Sequence, residues 1–174
     1  MAVPNIPARI RCVVERLRVD PSDRILEVGC GPGVAVSLVA DKLLDGRITA
    51  IDRSATAIAR AQQRNDVLSA RGRVELQKTD LAGFRCAAAS FDKAFAVNVN
   101  AFWTRDATEE VRILWEALRP GGILHLVYDG TEAMHDDAKS QRIVNAVTQV
   151  LRREGFEVSA DTGNPLCITG KRPG

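Results

Sequence analysis

Ile25-Leu26-Glu27-Val28-Gly29-Cys30-Gly31-Pro32-Gly33 decides the fold. A short apolar strand runs directly into a loop with glycine at every second position. Glycine lets main chain bend through positive φ and approach a bound molecule closely, and a helix after such a loop offers unpaired N–H groups at its start. The stretch therefore predicts a nucleotide-like ligand held by backbone. The spacing narrows this. A pyridine-nucleotide loop reads G-x-G-x-x-G, whereas the sixth position from Gly29 is Val34.

Working outward, strands and helices alternate. Ile6, Ile10, Val13, Val14 and Leu17 make one apolar helical face, with Asn5 as a capping residue, and Asp20-Pro21-Ser22-Asp23 turns into strand Arg24 to Val28. Helical spacing from Val34 to Leu44 stops at Asp45-Gly46. A second strand spans Arg47 to Asp52, and Ser54 caps an alanine-rich helix to about Ser69. Further strands are expected at Val74 to Lys78, Phe91 to Asn98 and Ile123 to Tyr128. A helix at Thr108 to Leu118 ends at Arg119-Pro120-Gly121-Gly122. After a long helix from about Asp136 to Glu154, strands Phe156 to Ala160 and Leu166 to Thr169 follow with no helix between them, which predicts an antiparallel pair. This is the pattern of a doubly wound α/β sheet with helices on both faces.

Composition sets bounds. The 174 residues suit a single domain, 45% are hydrophobic and 26% charged, and the net charge of +2 gives no global footprint for nucleic acid. Apolar runs are strand-length, so no membrane partner is expected, and the start has no signal-peptide pattern. Cys12, Cys30, Cys86 and Cys167 form no metal-ligand spacing, so no metal is expected and the thiols read as those of a reduced, cytoplasmic protein. Cys30 reads as a small space-filler within the loop rather than a nucleophile.

In open α/β sheets ligands bind outside the carboxyl ends of the strands where strand order reverses. Asp52 ends the second strand roughly 20 residues past the glycines, where such folds place the acid that accepts ribose hydroxyls; it also reads as a turn former. Arg53 is a candidate for the adenine face. Glu27 is a carboxylate inside a strand covered on both faces, for which loop N–H groups are the expected partners.

The E-x-G-x-G-x-G pattern, Asp52, Asp80, the Phe91 to Asn98 strand and Leu118-Arg119-Pro120-Gly121-Gly122 together resemble the seven-stranded, Rossmann-like methyltransferases that use S-adenosylmethionine. The resemblance covers essentially the whole chain. It implies strand order 3-2-1-4-5-7-6 with the last strand antiparallel, and S-adenosylhomocysteine as product. It further implies that Glu27, Gly29, Cys30, Gly31 and Gly33 border the cofactor's amino-acid end. Asp52 and Arg53 then meet the nucleoside, Asp80 and Leu81 the adenine, and Asn98 the methionine end. The domain is expected to span residues 1–174, with 1–20 as an N-terminal helix and candidate lid over a 21–174 core.

Methyl transfer from a sulfonium is a direct displacement that needs alignment and exclusion of water; a base is required only when the acceptor must lose a proton. Asn100, Phe102, Trp103 and Tyr128 are candidate acceptor-lining residues, beside Asp129, although Phe102 and Trp103 also read as packing residues. His135 is the candidate base, whereas His125 within a strand reads as structural. The strand-4 loop reads Asn98-Val99-Asn100-Ala101 and lacks the Asp/Asn-Pro-Pro-aromatic motif of base-modifying amino methyltransferases, which favours a small-molecule acceptor over nucleic acid. Methylation of protein or RNA, and a non-catalytic cofactor-binding partner subunit, are the alternatives. The acceptor pocket is open, closed by the N-terminal helix or completed by another subunit, a homodimer among the options.

Overall fold

The computed structural model describes residues 6–129 and 137–174. In chain order the elements are α1 (Ala8–Arg16), β1 (Arg24–Val28), α2 (Val34–Ala40), β2 (Arg47–Asp52), α3 (Ala55–Ala70), β3 (Val74–Lys78) and β4 (Phe91–Val97). There follow α4 (Ala101–Thr104), α5 (Thr108–Ala117), β5 (Leu118–Tyr128), α6 (Asp137–Arg153), β6 (Glu157–Asp161) and β7 (Leu166–Lys171). Among the described residues the strands form one sheet in the order β3-β2-β1-β4-β5-β7-β6. β1 pairs parallel with both β2 and β4, while β7 runs antiparallel to β5 and β6. The strand order reverses beside β1, so the glycine loop opens at the switch point, as the sequence predicts.

Alternation along each central strand splits the core in two. Ile25, Phe95 and Val127 face one layer with Val13 and Val14 of α1, Leu17 at its C-cap, and Val36 and Val39 of α2. Leu26, Ala94, Ala96, Leu124 and Leu126 face the other, against Val111 and Leu114 of α5 and Ile143, Val147 and Leu151 of α6. Successive strand side chains point to opposite faces, so a strand covered by helices on both sides needs an apolar residue at nearly every position. Among the described residues no helix is long and apolar enough to cross a membrane.

Several boundaries differ from the sequence expectation. α1 begins after Pro7, which takes the N-cap position, and Asn5 lies outside the described residues. α1 buries Val13 and Val14 in the core, with Leu17 at its C-cap, so hydrophobic burial holds its described residues there. α2 stops at Ala40 rather than Leu44. The chain then tightens, with Leu43 N–H donating to Ala40 O, while the Leu44 and Gly46 N–H groups both donate to Pro21 O at 2.9 Å.

β4 ends at Val97 because Asn98 turns to φ 56°. The largest difference is Leu118 to Gly122, which is the start of β5 rather than a turn before it. Leu118 pairs with Phe91 and Ile123 with Lys93, so β5 gains extra residues in a bulge containing Gly121 at φ 77°. Gly121 N–H donates to Arg172 O and Arg172 N–H to Gly122 O, both at 2.9 Å, which extends the ladder that the Pro-Gly-Gly signal hides.

Candidate active site

The three loop glycines serve different ends. At Gly29 (φ 72°) a Cβ would sit 2.8 Å from Val99 Cγ2. At Gly33 (φ 75°) it would sit 2.9 Å from Ala61 Cβ and 3.0 Å from Ala61 Cα, so this glycine lets the loop press against α3. Gly31 (φ 52°) would meet nothing within 4 Å, so it is needed for its backbone conformation alone. Asn65 locks the arrangement from α3. Its Nδ2 donates to Gly33 O at 3.2 Å and its Oδ1 accepts from Ser37 Oγ at 2.7 Å.

Glu27 departs from expectation. It is only 3% exposed, and the loop N–H groups that could satisfy it go elsewhere: Gly29 and Cys30 N–H donate to Ile51 O at 2.8 and 3.1 Å, and Gly31 N–H donates to Asp52 Oδ2 at 2.9 Å. Glu27 Oε2 is buried with no partner. Burial, with the nearby Asp52 charge, pushes its carboxyl well above the usual carboxylate range. A buried acid oxygen left unpaired is costly, so the structure stores a demand for a cation or donor at this spot.

A crevice of about 570 Å³ opens over the carboxyl ends of β1 to β4. Gly29, Asp52, Arg53, Asp80, Leu81 and Asn98 line it; Glu27 does not, its buried carboxyl lying close enough to Asp52 to feel that charge. Asp52 is held by two backbone donors, Gly31 N–H and Ser54 N–H, the latter at 2.8 Å on Oδ1. The turn-forming role and a ribose-binding role are thus compatible, since each carboxylate oxygen keeps a further acceptor site. Asp80 Oδ1 accepts from Gly83 N–H at 2.8 Å, which fixes the loop and leaves Oδ2 for another donor. Cys30, Gly31 and Gly33 lie off the crevice wall. Cys30 is in the core, its thiol pushed up to about 12 by burial and by Glu27 and Asp52, so it is a protonated space-filler.

A smaller lobe of about 200 Å³ joins the crevice, sharing Asn98, Asn100 and Thr104 with it. Trp103, Tyr128, Asp129 and Lys139 complete its polar lining. Asn98 Oδ1 accepts from Asp129 N–H at 2.8 Å and ties the ends of β4 and β5 together. Tyr128 donates to Val99 O at 3.3 Å, and burial raises its phenol above the ordinary range. Phe102 is buried and faces the larger crevice instead. His135 lies outside the described residues. His125 is structural: it sits on Thr169 Oγ1 at 3.0 Å, and burial first, then the charges of Arg16 and Lys93, lower it to about 4.

Sequence reasoning missed α4 and the ion pair between Arg105 and the buried Glu110 on the crevice wall. A four-residue helix has no periodicity to read. Asn65 left a fainter signal, a polar residue four positions after Ala61 on the inward face of α3.

The model of the methyltransferase domain family matches residues 25–122. Over 92% of its length the chain is 26% identical to the "Uncharacterized methyltransferase YdaC" of Bacillus subtilis (strain 168), of which it covers 89%. It is 31% identical over 66% of its length to the trans-aconitate 2-methyltransferase of Azoarcus sp. (strain BH72), of which the match spans 42%. The chain spans less than half the length of the trans-aconitate methyltransferases it matches. The fold is that of the S-adenosylmethionine-dependent O-methyltransferase from Thermotoga maritima, with a TM-score of 0.71 at 16% identity over 100% of this chain and 68% of that one. The chain belongs to the methyltransferase domain family and is a methyltransferase with S-adenosylmethionine as cofactor.

Proposed function

We propose that this chain is a single-domain, cytoplasmic enzyme that methylates a small-molecule acceptor seated in the smaller lobe, with the cofactor in the larger crevice. The observation that carries the reading is the buried, unpartnered Glu27 Oε2 near Asp52, together with a crevice that presents Asp52 and Asp80. The residues present fit S-adenosylmethionine. Glu27 would meet a cationic amino group, Gly29 brings backbone close, Asp52, held by Gly31 N–H, would accept from the ribose hydroxyls and Asp80 from the adenine amine, with Arg53, Leu81 and Asn98 on the flanks.

When bound, the cofactor supplies an activated methyl group that a nucleophile takes by direct displacement, its bonding electrons returning to sulfur to leave S-adenosylhomocysteine. The chain's own part is alignment. Asn98, left-handed at the end of β4, stands where crevice and lobe meet, and its link to Asp129 holds both walls at fixed spacing. Asn100, Trp103 and Tyr128 line the acceptor side, with Phe102 packed behind the junction. The lobe's volume, below the range of drug-sized pockets, favours a small acceptor. The trans-aconitate methyltransferases among the relatives support the same class. Among the described residues all the cysteines are free, in keeping with a reducing compartment.

Thermal denaturation tests this. S-adenosylmethionine and S-adenosylhomocysteine at 100 times their dissociation constants stabilise the fold by about 2.7 kcal/mol, and NAD does not. A shift with NAD alone contradicts the proposal, as does transfer of labelled methyl only to macromolecules.

A further inference from the structure

We infer that the methyl acceptor carries a carboxylate and that Lys139, seated on the face of Trp103, is the residue that selects it; this rests on the reading of the smaller lobe as the acceptor site. The charges along the two cavities point this way. The larger crevice gathers Asp52 and Asp80 against Arg53, and its Arg105 is already paired with Glu110, so its lining keeps a net negative charge. An anionic molecule approaching that crevice is repelled unless a cation offsets the field. Lys139 is the cation among the described residues that line the smaller lobe. Among the described residues it pairs with no carboxylate, and its Nζ lies over the Trp103 ring, 5.6 Å from the centroid. That contact fixes the direction of a long, flexible side chain without neutralising it, which is how a cation is kept ready for a ligand.

Its placement assigns an orientation. Asn98 and Asn100 belong to both cavities, so the reacting atom of the acceptor lies at their end. Lys139, in the first turn of α6, lies toward Trp103 and Ile143. The anion and the reacting centre thus occupy different parts of the lobe. The charge count also selects the anion. Among the described residues of the lining Lys139 is the cation and Asp129 the carboxylate, so a single negative charge seated on Lys139 is opposed less than the two charges of a phosphate dianion.

The test measures binding to protein loaded with S-adenosylhomocysteine, using the monoanions lactate, phenylacetate and benzoate, the corresponding neutral amides, and glycerol 3-phosphate. At least one acid binds, and its amide binds at least tenfold more weakly. Lys139→Met abolishes that discrimination, Lys139→Arg retains most of it, and both variants keep the wild-type affinity for S-adenosylhomocysteine, which also reports that they fold. The inference is overturned if no acid binds, if acid and amide bind alike, if the phosphate ester outcompetes every acid, or if Lys139→Met still discriminates. Failure of S-adenosylhomocysteine to bind would sink the cofactor reading instead, and the acid and amide arms then run on the unloaded protein. Labelled methyl moving only into protein or RNA while the acids bind as expected would sink the small-molecule reading and leave the anion site standing.

Discussion

The larger crevice and the smaller lobe share a wall at Asn98, Asn100 and Thr104, yet they are built from different elements. The crevice takes its polar groups from the loops after successive parallel strands, and backbone donors fix the key side chains: Asp52 by Gly31 and Ser54, Asp80 by Gly83. The lobe is assembled from α4, the end of β5 and α6: Asn98, Thr104 and Tyr128 are anchored on single backbone groups of neighbouring loops, and Lys139 lies on the Trp103 ring. A ligand common to many enzymes can be met by backbone geometry that the strand order dictates. A ligand that differs between enzymes is met by side chains free to vary.

The largest expected effects fall on the crevice. Gly33→Ala, with φ 75° and Ala61 in the way, destabilises the fold by about 2–4 kcal/mol in urea unfolding. Gly31→Ala, with open space around it, costs about 1 kcal/mol. Equal losses would mean that the division of labour among the glycines is misread.

Glu27→Gln comes next and separates binding from stability. It weakens S-adenosylhomocysteine binding about 10- to 100-fold, the worth of a charge-assisted hydrogen bond. Without ligand, its stability equals or exceeds that of the wild type. The sign follows from the raised carboxyl: the folded protein holds a proton that the unfolded chain releases above about pH 4.3, so wild-type stability falls as pH rises from there toward the folded value. Melting curves between pH 4.5 and 8 should show this slope in the wild type and not in the variant; parallel curves would refute it.

A smaller effect concerns His125, on the sheet face away from the lobe. Its folded value is lowered to about 4, so it contributes stability above the unfolded value near 6.5 that is lost as pH falls through about 4. His125→Asn removes about 1–2 kcal/mol of that acid sensitivity and leaves methyl transfer at pH 7.5 unchanged; a large drop in rate would bring His125 into the chemistry. Smallest is Trp103→Phe, which keeps a ring beneath Lys139 but weakens the cation–π contact. It raises the acceptor KM about 2- to 5-fold and leaves cofactor affinity alone. A change in cofactor affinity instead would erase the boundary between the two cavities.

The same contrast explains what the sequence revealed. The glycine loop, Asp52 and Asp80 are legible because each lies at a fixed offset from a strand end, and apolar runs mark those strands. Lys139 is invisible beforehand because only tertiary packing brings α6 over Trp103. Glu27 was identified as an exceptional residue, but its lack of partners depended on where loop N–H groups went, and Ile51 O captured two of them. The start of β5 was misread because Pro-Gly-Gly signals a turn locally, while pairing with Arg172 extends the strand.

Calorimetric titration of S-adenosylhomocysteine into the wild type, Asp52→Ala and Lys139→Met tests the two-cavity account most directly. The account predicts a 10-fold or greater loss of affinity in Asp52→Ala and none in Lys139→Met. Wild-type affinity in Asp52→Ala, or equal losses in both variants, would contradict it.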